Sequence, residues 1–233
     1  VTLELSRSPA GSLLNGLEFL TGFPYGCVEQ TMSRALPNVA VDRAFDALGA
    51  PQPEGLELGR LVNESAQRLY GFQHDDGGWG WWFDDDSTPY QTAWVVFGLA
   101  TMAEAGHEID PAVIERGAAY LNETLDKADN RTRAMMLYSL AVAGQPNGAA
   151  ALELAALPDD DLDAFSLAAL ALALDAAGEA DAAQAVMARL AAQAIVADGR
   201  AHWGLGGNDG QYRQKTMASA TRSTALALRA FVR

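Results

Sequence analysis

Cysteine occurs once in these 233 residues, at Cys27. An intramolecular disulfide and a Cys-x-x-Cys metal site are both excluded. Basic residues are scarce as well: 16 Lys and Arg stand against 30 Asp and Glu, giving a net charge of −14 and a pI near 4.5. Binding to nucleic acid needs Lys and Arg to displace counterions from the phosphates, and binding to an anionic membrane surface needs the same charge, so this balance argues against both partners. Long apolar runs are missing. Stretches such as Leu167 to Leu174 fall far short of the roughly 20 residues of a membrane span. Val1 to Ala10 shows no charged head followed by an apolar run, so no signal peptide is visible. Val1 is not an initiator Met, and the chain reads as a piece of a longer polypeptide or as a mature product. Histidine is rare too. His74, His107 and His202 are scattered, none forms a spaced ligand pair, and each reads as a loop or surface residue. No cofactor is implied.

What the chain does have is apolar residues at 49%, enough for a sizeable core, with Ala and Leu dominant. Apolar-periodic segments alternate with short breaks rich in Gly, Pro, Asp and Asn. The pattern predicts helices near 11–21, 31–48, 56–73, 88–105, 111–125, 131–143, 148–156, 161–177, 179–197 and 219–232. Asp110-Pro111 and Ser87-Thr88-Pro89 have the form of helix entries, and Gly49, Gly106, Gly144 and Gly178 that of left-handed caps.

A loose repeat is visible in "TAWVVFGLA" at 92–100, "RAMMLYSLA" at 133–141, "DAFSLAALA" at 163–171 and "TALALRAFV" at 224–232. These segments suggest helices buried nearly all round, separated by one-faced helices at 56–73, 111–125 and 179–197. Inner and outer helices in alternation predict an all-α fold, an α/α toroid, though an open superhelix of hairpins would show the same pattern. The uneven spacing of the second Ala (Ala93, Ala134, Ala164, Ala225) favours one globular ring. Nothing in the composition divides 1–233 into two domains. Two Gly-Trp loops stand out, "DDGGWGWWFDDD" at 75–86 and "DGRAHWGLGGNDGQYRQK" at 198–215, each between an expected outer and inner helix.

A lone cysteine is either a small buried hydrophobe or a reactive group, and its neighbours decide. Phe23-Pro24-Tyr25-Gly26 reads as a turn, after which Cys27-Val28-Glu29-Gln30 leads into a helix near Thr31. A thiol near a helix N-terminus meets partial positive charge, which favours the thiolate. Side chains three residues apart at a first turn share a face, so the Cys27 sulfur can reach the Gln30 carboxamide. Attack there with loss of ammonia closes a thioester in a small ring. Such a bond lasts only where water is excluded. Phe23, Tyr25 and Val28 are candidates for that shield, with Pro24 and Gly26 fixing the turn. Cys-x-x-Gln spacing alone also fits a buried or incidental cysteine.

The longer string "PYGCVEQTMSR" closely resembles the thioester motif of the alpha-2-macroglobulin and complement superfamily, whose core is Gly-Cys-x-Glu-Gln. "QHDDGGWGWW" with "TAWVVFGLA" is similar to that family's turn and following helix, and "TRSTALALRAF" to its last helix. The resemblance implies an α/α toroid thioester domain of a bacterial-type endopeptidase inhibitor, at the periplasm, the cell surface or outside the cell. Within such a parent, cleavage by a protease exposes the thioester to nucleophiles on proteases or cell-surface proteins. It implies Cys27 as the thiol, Gln30 as the acyl donor and Glu29 as the motif's acid, with an orienting role for Glu29. It also implies other domains of a parent protein as partners. Two departures matter: Phe23 stands where bacterial members often have Tyr, and no His lies at the place of the family's assisting His before 131. Attack by lysine amines is then the expected route, in a single-use trap rather than an enzyme.

Other readings remain at this stage. Asp75, Asp76, Asp84, Asp85 and Asp86 could hold Ca2+, although no EF-hand spacing is present and a solvated loop is expected. The same acids with Trp79, Trp81 and Trp82 could serve a toroid glycosidase or terpene cyclase, but packing of the tryptophans against the ring is expected. A cysteine hydrolase or transglutaminase-like enzyme would need a His partner for Cys27. A plain helical interaction module would never form the thioester.

Overall fold

In the computed structural model the described residues are 26–49, 57–158, 161–205 and 217–233. The helix expected at 11–21, and Phe23, Pro24 and Tyr25, lie outside them. Nine α-helices occur among the described residues: α1 (Val28–Leu48), α2 (Leu58–Gly71), α3 (Pro89–Glu104), α4 (Pro111–Thr124), α5 (Asn130–Val142), α6 (Gly148–Ala155), α7 (Ala164–Ala176), α8 (Ala180–Ala192) and α9 (Ala220–Phe231). A 3-10 turn at Leu125–Lys127 extends α4. The sequence marks these boundaries through local hydrogen bonding. Thr88, Asp110, Asp129, Asn147, Asp163 and Ser219 cap α3, α4, α5, α6, α7 and α9 with side-chain oxygens. Gly49, Gly106, Gly144 and Gly178 all have positive φ just past a helix end.

Helices α1, α3, α5, α7 and α9 pack side by side in sequence order, and α2, α4, α6 and α8 lie against them as the outer members of hairpins. This is the expected all-α alternation of inner and outer helices. The burial of α3 and α7 follows from their composition. Twelve residues of α3, from Tyr90 to Met102, and ten of α7, from Ala164 to Leu174, are buried. Small side chains let the neighbours approach. At Gly98 an added Cβ would stand 2.0 Å from the Met32 Cε of α1. One apolar cluster extends from Val28 to Ala227. None of the helices among the described residues is long and apolar enough to cross a membrane.

Two expectations fail. Residues 195–197 form a strand, β1 (Ile195–Ala197), paired antiparallel with β2 (Arg200–His202), rather than the end of a helix. Ile195 and Val196 are β-branched, and the turn residues Asp198 and Gly199 both have positive φ, 52° and 70°, the geometry of a tight hairpin. The second concerns α9, which is not buried all round. Only Ser223 and Ala227 of this helix are buried, while Leu228 and Phe231 are exposed; among the described elements α9 packs on α7 and only slightly on α8.

The tryptophans Trp79 and Trp203 of the two Gly-Trp loops are held alike. The indole Nε1 of Trp79 donates to the Leu69 carbonyl at the end of α2, 2.8 Å away, and its backbone N–H donates to Thr92 Oγ1 on α3 at 2.9 Å. Trp203 repeats both contacts, to the Leu190 carbonyl at 2.8 Å and Thr224 Oγ1 at 3.0 Å. Each tryptophan thus ties the end of an outer helix to the first turns of the next inner one. Replacing Thr92 by Val leaves a buried N–H without an acceptor, and chemical denaturation should show a loss of about 1–3 kcal/mol. Thr224→Val, at a partly exposed site, should cost less.

Candidate functional site

The first turn of α1 carries the cysteine. Cys27 is its N-cap residue, extended at φ −66° and ψ 178°. Its carbonyl accepts from the Thr31 N–H at 2.9 Å and from Thr31 Oγ1 at 3.0 Å. Cys27 and Gln30 form a reciprocal capping box: the Gln30 N–H faces the cysteine side chain, and Gln30 Oε1 accepts the Cys27 N–H at 3.1 Å. The thiol and the carboxamide are thereby held on one face, as the spacing suggested. Helix α1 starts at Val28 rather than near Thr31 because the motif itself supplies the cap.

Three contacts fix this turn in the fold. The Val28 N–H donates to the Trp81 carbonyl at 2.9 Å. Arg68 of α2 donates to the Gly26 carbonyl at 2.8 Å, with its guanidinium 5.2 Å from the centre of the Phe72 ring. An added Cβ at Gly26 would lie 2.8 Å from the Gln30 Cβ and 3.1 Å from its Oε1, so glycine lets the Gln30 side chain fold back. Val28 is fully buried within the core cluster. Glu29, also in the first turn, accepts from Ser33 Oγ at 2.5 Å. Cys27 is 6% exposed, whereas Gln30 is exposed.

Ser33, four residues from Glu29 on the same helix, could have been found from its spacing. Arg68 and the Trp81 carbonyl carried no local signal in the sequence, because each reaches the motif only through folding. The same holds for Arg222 at the start of α9. Its guanidinium stacks 4.4 Å from the Phe165 ring, 5.3 Å from Tyr90 and 5.5 Å from Trp94. Burial lowers its pKa to about 10, with the Glu29 charge acting in the opposite direction.

The remaining candidates serve the loops. Asp76 Oδ1 accepts from the Gly78 N–H and Ser87 Oγ, and Asp85 accepts from the Trp81 N–H at 2.8 Å. Asp84, Asp85 and Asp86 are exposed, and no group of three or more His, Cys, Asp or Glu among the described residues could hold a metal ion. The glycosidase or cyclase reading gains no support from acids placed this way. His74 bonds Ser87 and the Trp82 carbonyl, His107 faces Asp42 at 3.3 Å, and His202 is exposed on β2. None of the three hydrogen-bonds to Cys27 or Gln30.

Chemically, the turn offers a nucleophilic sulfur at a helix N-terminus, an amide carbonyl, and one backbone N–H already bound to that carbonyl oxygen. An N–H in that place would stabilise charge on the oxygen if a nucleophile attacked the carbonyl carbon. Capping and chemistry can be separated in a C27A background. Gln30→Glu should keep the cap and the stability, and Gln30→Ala should lose about 0.5–1 kcal/mol in thermal or chemical unfolding.

Comparison with known proteins shows which family the chain is similar to. Residues 5–130 match the family described as the A-macroglobulin TED domain. An alpha-2-macroglobulin of Thermotoga maritima is 38% identical over 109 residues, covering 47% of this chain and 7% of that protein. Thioester-containing protein 1 (allele R1) of Anopheles gambiae is 25% identical over 122 residues, covering 52% of this chain and 9% of that protein. The crystal structure of native Escherichia coli alpha-2-macroglobulin, from domain MG7 to the C-terminus, superposes with a TM-score of 0.74 at 23% identity. That match covers 94% of this chain and 35% of the other. The chain therefore spans only a small part of these relatives, and it shares the fold of the matching part of the Escherichia coli protein. By the match over more than half its length, it belongs to the A-macroglobulin TED domain family.

Proposed function

We propose that Cys27 and Gln30 close an internal thioester, and that the chain acts within a larger protein as a single-use acyl trap for proteases or other targets. The observation that carries this reading is the capping box, which holds the thiol and the carboxamide on one face with a donor on the carbonyl oxygen. In the forming step the sulfur attacks Gln30 Cδ, the C–N bond breaks, and ammonia leaves with the thiol proton. In the trapping step a target amine attacks the same carbon, the C–S bond breaks, an amide forms and Cys27 returns as a thiol. Family membership and the name of the mosquito relative support the thioester.

Lysine amines are the preferred nucleophiles on this reading, since each histidine is either engaged elsewhere or exposed on β2. Glu29 is an orienting acid at the helix N-terminus. Phe23, Tyr25 and Pro24 remain part of the proposal as shield and turn. Trp82 and Phe83 are 52% and 68% exposed beside the site, which suits cover by another domain of the parent. Residues 1–233 form one domain of that parent, located in the periplasm, at the cell surface or outside the cell, as the alpha-2-macroglobulin resemblance implies.

A fluorescent alkylamine tests the trap. Incubated with the chain, it should be incorporated once, at Gln30, with release of one thiol per label. Label mapped to another residue, or surviving in C27A, would refute the proposal. Gly26→Ala should cut incorporation severalfold, because the new Cβ displaces the Gln30 side chain.

A further inference from the structure

One peptide group links Arg68 to the carbonyl oxygen of Gln30. The C=O of Gly26 and the N–H of Cys27 belong to the same amide, and each end of it is hydrogen-bonded. Arg68 Nη2 donates to the Gly26 carbonyl at 2.8 Å, and the Cys27 N–H donates to Gln30 Oε1 at 3.1 Å. Amide resonance couples the two ends. A cation on the carbonyl oxygen draws electron density from the nitrogen, which makes the N–H a stronger donor. Arg68 carries a permanent charge and is held in place, since the Phe72 ring, four residues further along, lies 5.2 Å from its guanidinium. Among the described residues no carboxylate forms an ion pair with it. The motif's own acid, Glu29, bonds Ser33 instead.

We propose that Arg68 is a positioning residue for acyl transfer, acting on the Gln30 carbonyl through the Gly26–Cys27 peptide. When a nucleophile attacks Gln30 Cδ, the C=O electron pair moves onto Oε1, and it returns when the C–S bond breaks. The Cys27 N–H meets the charge in between. The guanidinium strengthens that N–H without touching any reacting atom. A donor at a developing oxyanion is worth about 100- to 1000-fold in rate, and a neighbour in a hydrogen-bonded chain strengthens a bond by about 10–30%, so the share of Arg68 is about threefold. The effect on rate rests on the acyl-transfer reading; the polarised N–H does not.

The polarised N–H is read by NMR without the thioester, in the C27A chain, which keeps the backbone N–H of residue 27. Arg68→Gln offers Gly26 a neutral donor, and Arg68→Met offers none. The residue-27 amide proton should move upfield from the Arg68 chain to Arg68→Gln and further in Arg68→Met. The Val28 and Thr31 amides, bonded to the carbonyls of Trp81 and residue 27, should stay in place. Movement of all three amides together would mean a loosened turn and overturns the proposal, as does no movement at residue 27. The effect on rate is read with Cys27 present, as the rate constant for methylamine per thioester, counted by mass. It should fall about threefold in Arg68→Met and less in Arg68→Gln. Reaction at equal rates in all three chains refutes the role of Arg68 and leaves the trap standing. The expected amide shifts with no reaction in any chain refute the acyl-transfer reading and leave the polarised N–H standing.

Discussion

The hydrogen bond from the Val28 N–H to the Trp81 carbonyl, acting with the Cys27–Gln30 cap, holds the start of α1, and the site depends on that starting point. The first amides of a helix have no partners within it, so something outside must accept them or they are lost to solvent. Here the Gly-Trp loop accepts one of them, while the motif's own Cys27 and Gln30 take up the neighbouring groups. A start one residue later would rotate the sulfur and the carboxamide apart. Arg68 holds the preceding carbonyl from the other side, so the turn is clamped between α2 and the loop.

That clamp is only as firm as the loop, which explains the attention this fold gives to its tryptophans. Trp79 is fully buried and bonded at both its indole and its backbone nitrogen, and it connects α2 to α3. The loop residues that follow it then present the Trp81 carbonyl to α1. Trp203 repeats the device between α8 and α9, and α9 in turn brings Arg222 to a cavity it shares with Glu29. Stability and site geometry thus share the same hydrogen bonds.

Much of this was legible in the sequence because it is local. Cap residues such as Thr88 and Asp110, glycines such as Gly106 and Gly178, and the three-residue spacing of Cys27 and Gln30 act within one turn of chain. Errors arose where two local signals competed. The alanines of α8 masked the β-branched pair Ile195-Val196 and the Asp198-Gly199 turn, which end the helix in a hairpin. The repeat at 224–232 promised a buried helix, but burial depends on neighbours, and among the described residues α9 packs mainly on α7. Arg68 and Arg222 could not be found at all, because their contacts join distant segments, as in the Arg68 bond to Gly26, 42 residues away.

The central claim is that Cys27 and Gln30 are joined. The intact mass of freshly purified chain tests it most directly. The account predicts a mass about 17 Da below that of the sequence, from loss of ammonia, and no titratable thiol until methylamine adds about 31 Da. Full sequence mass with one reactive thiol before any treatment would contradict it.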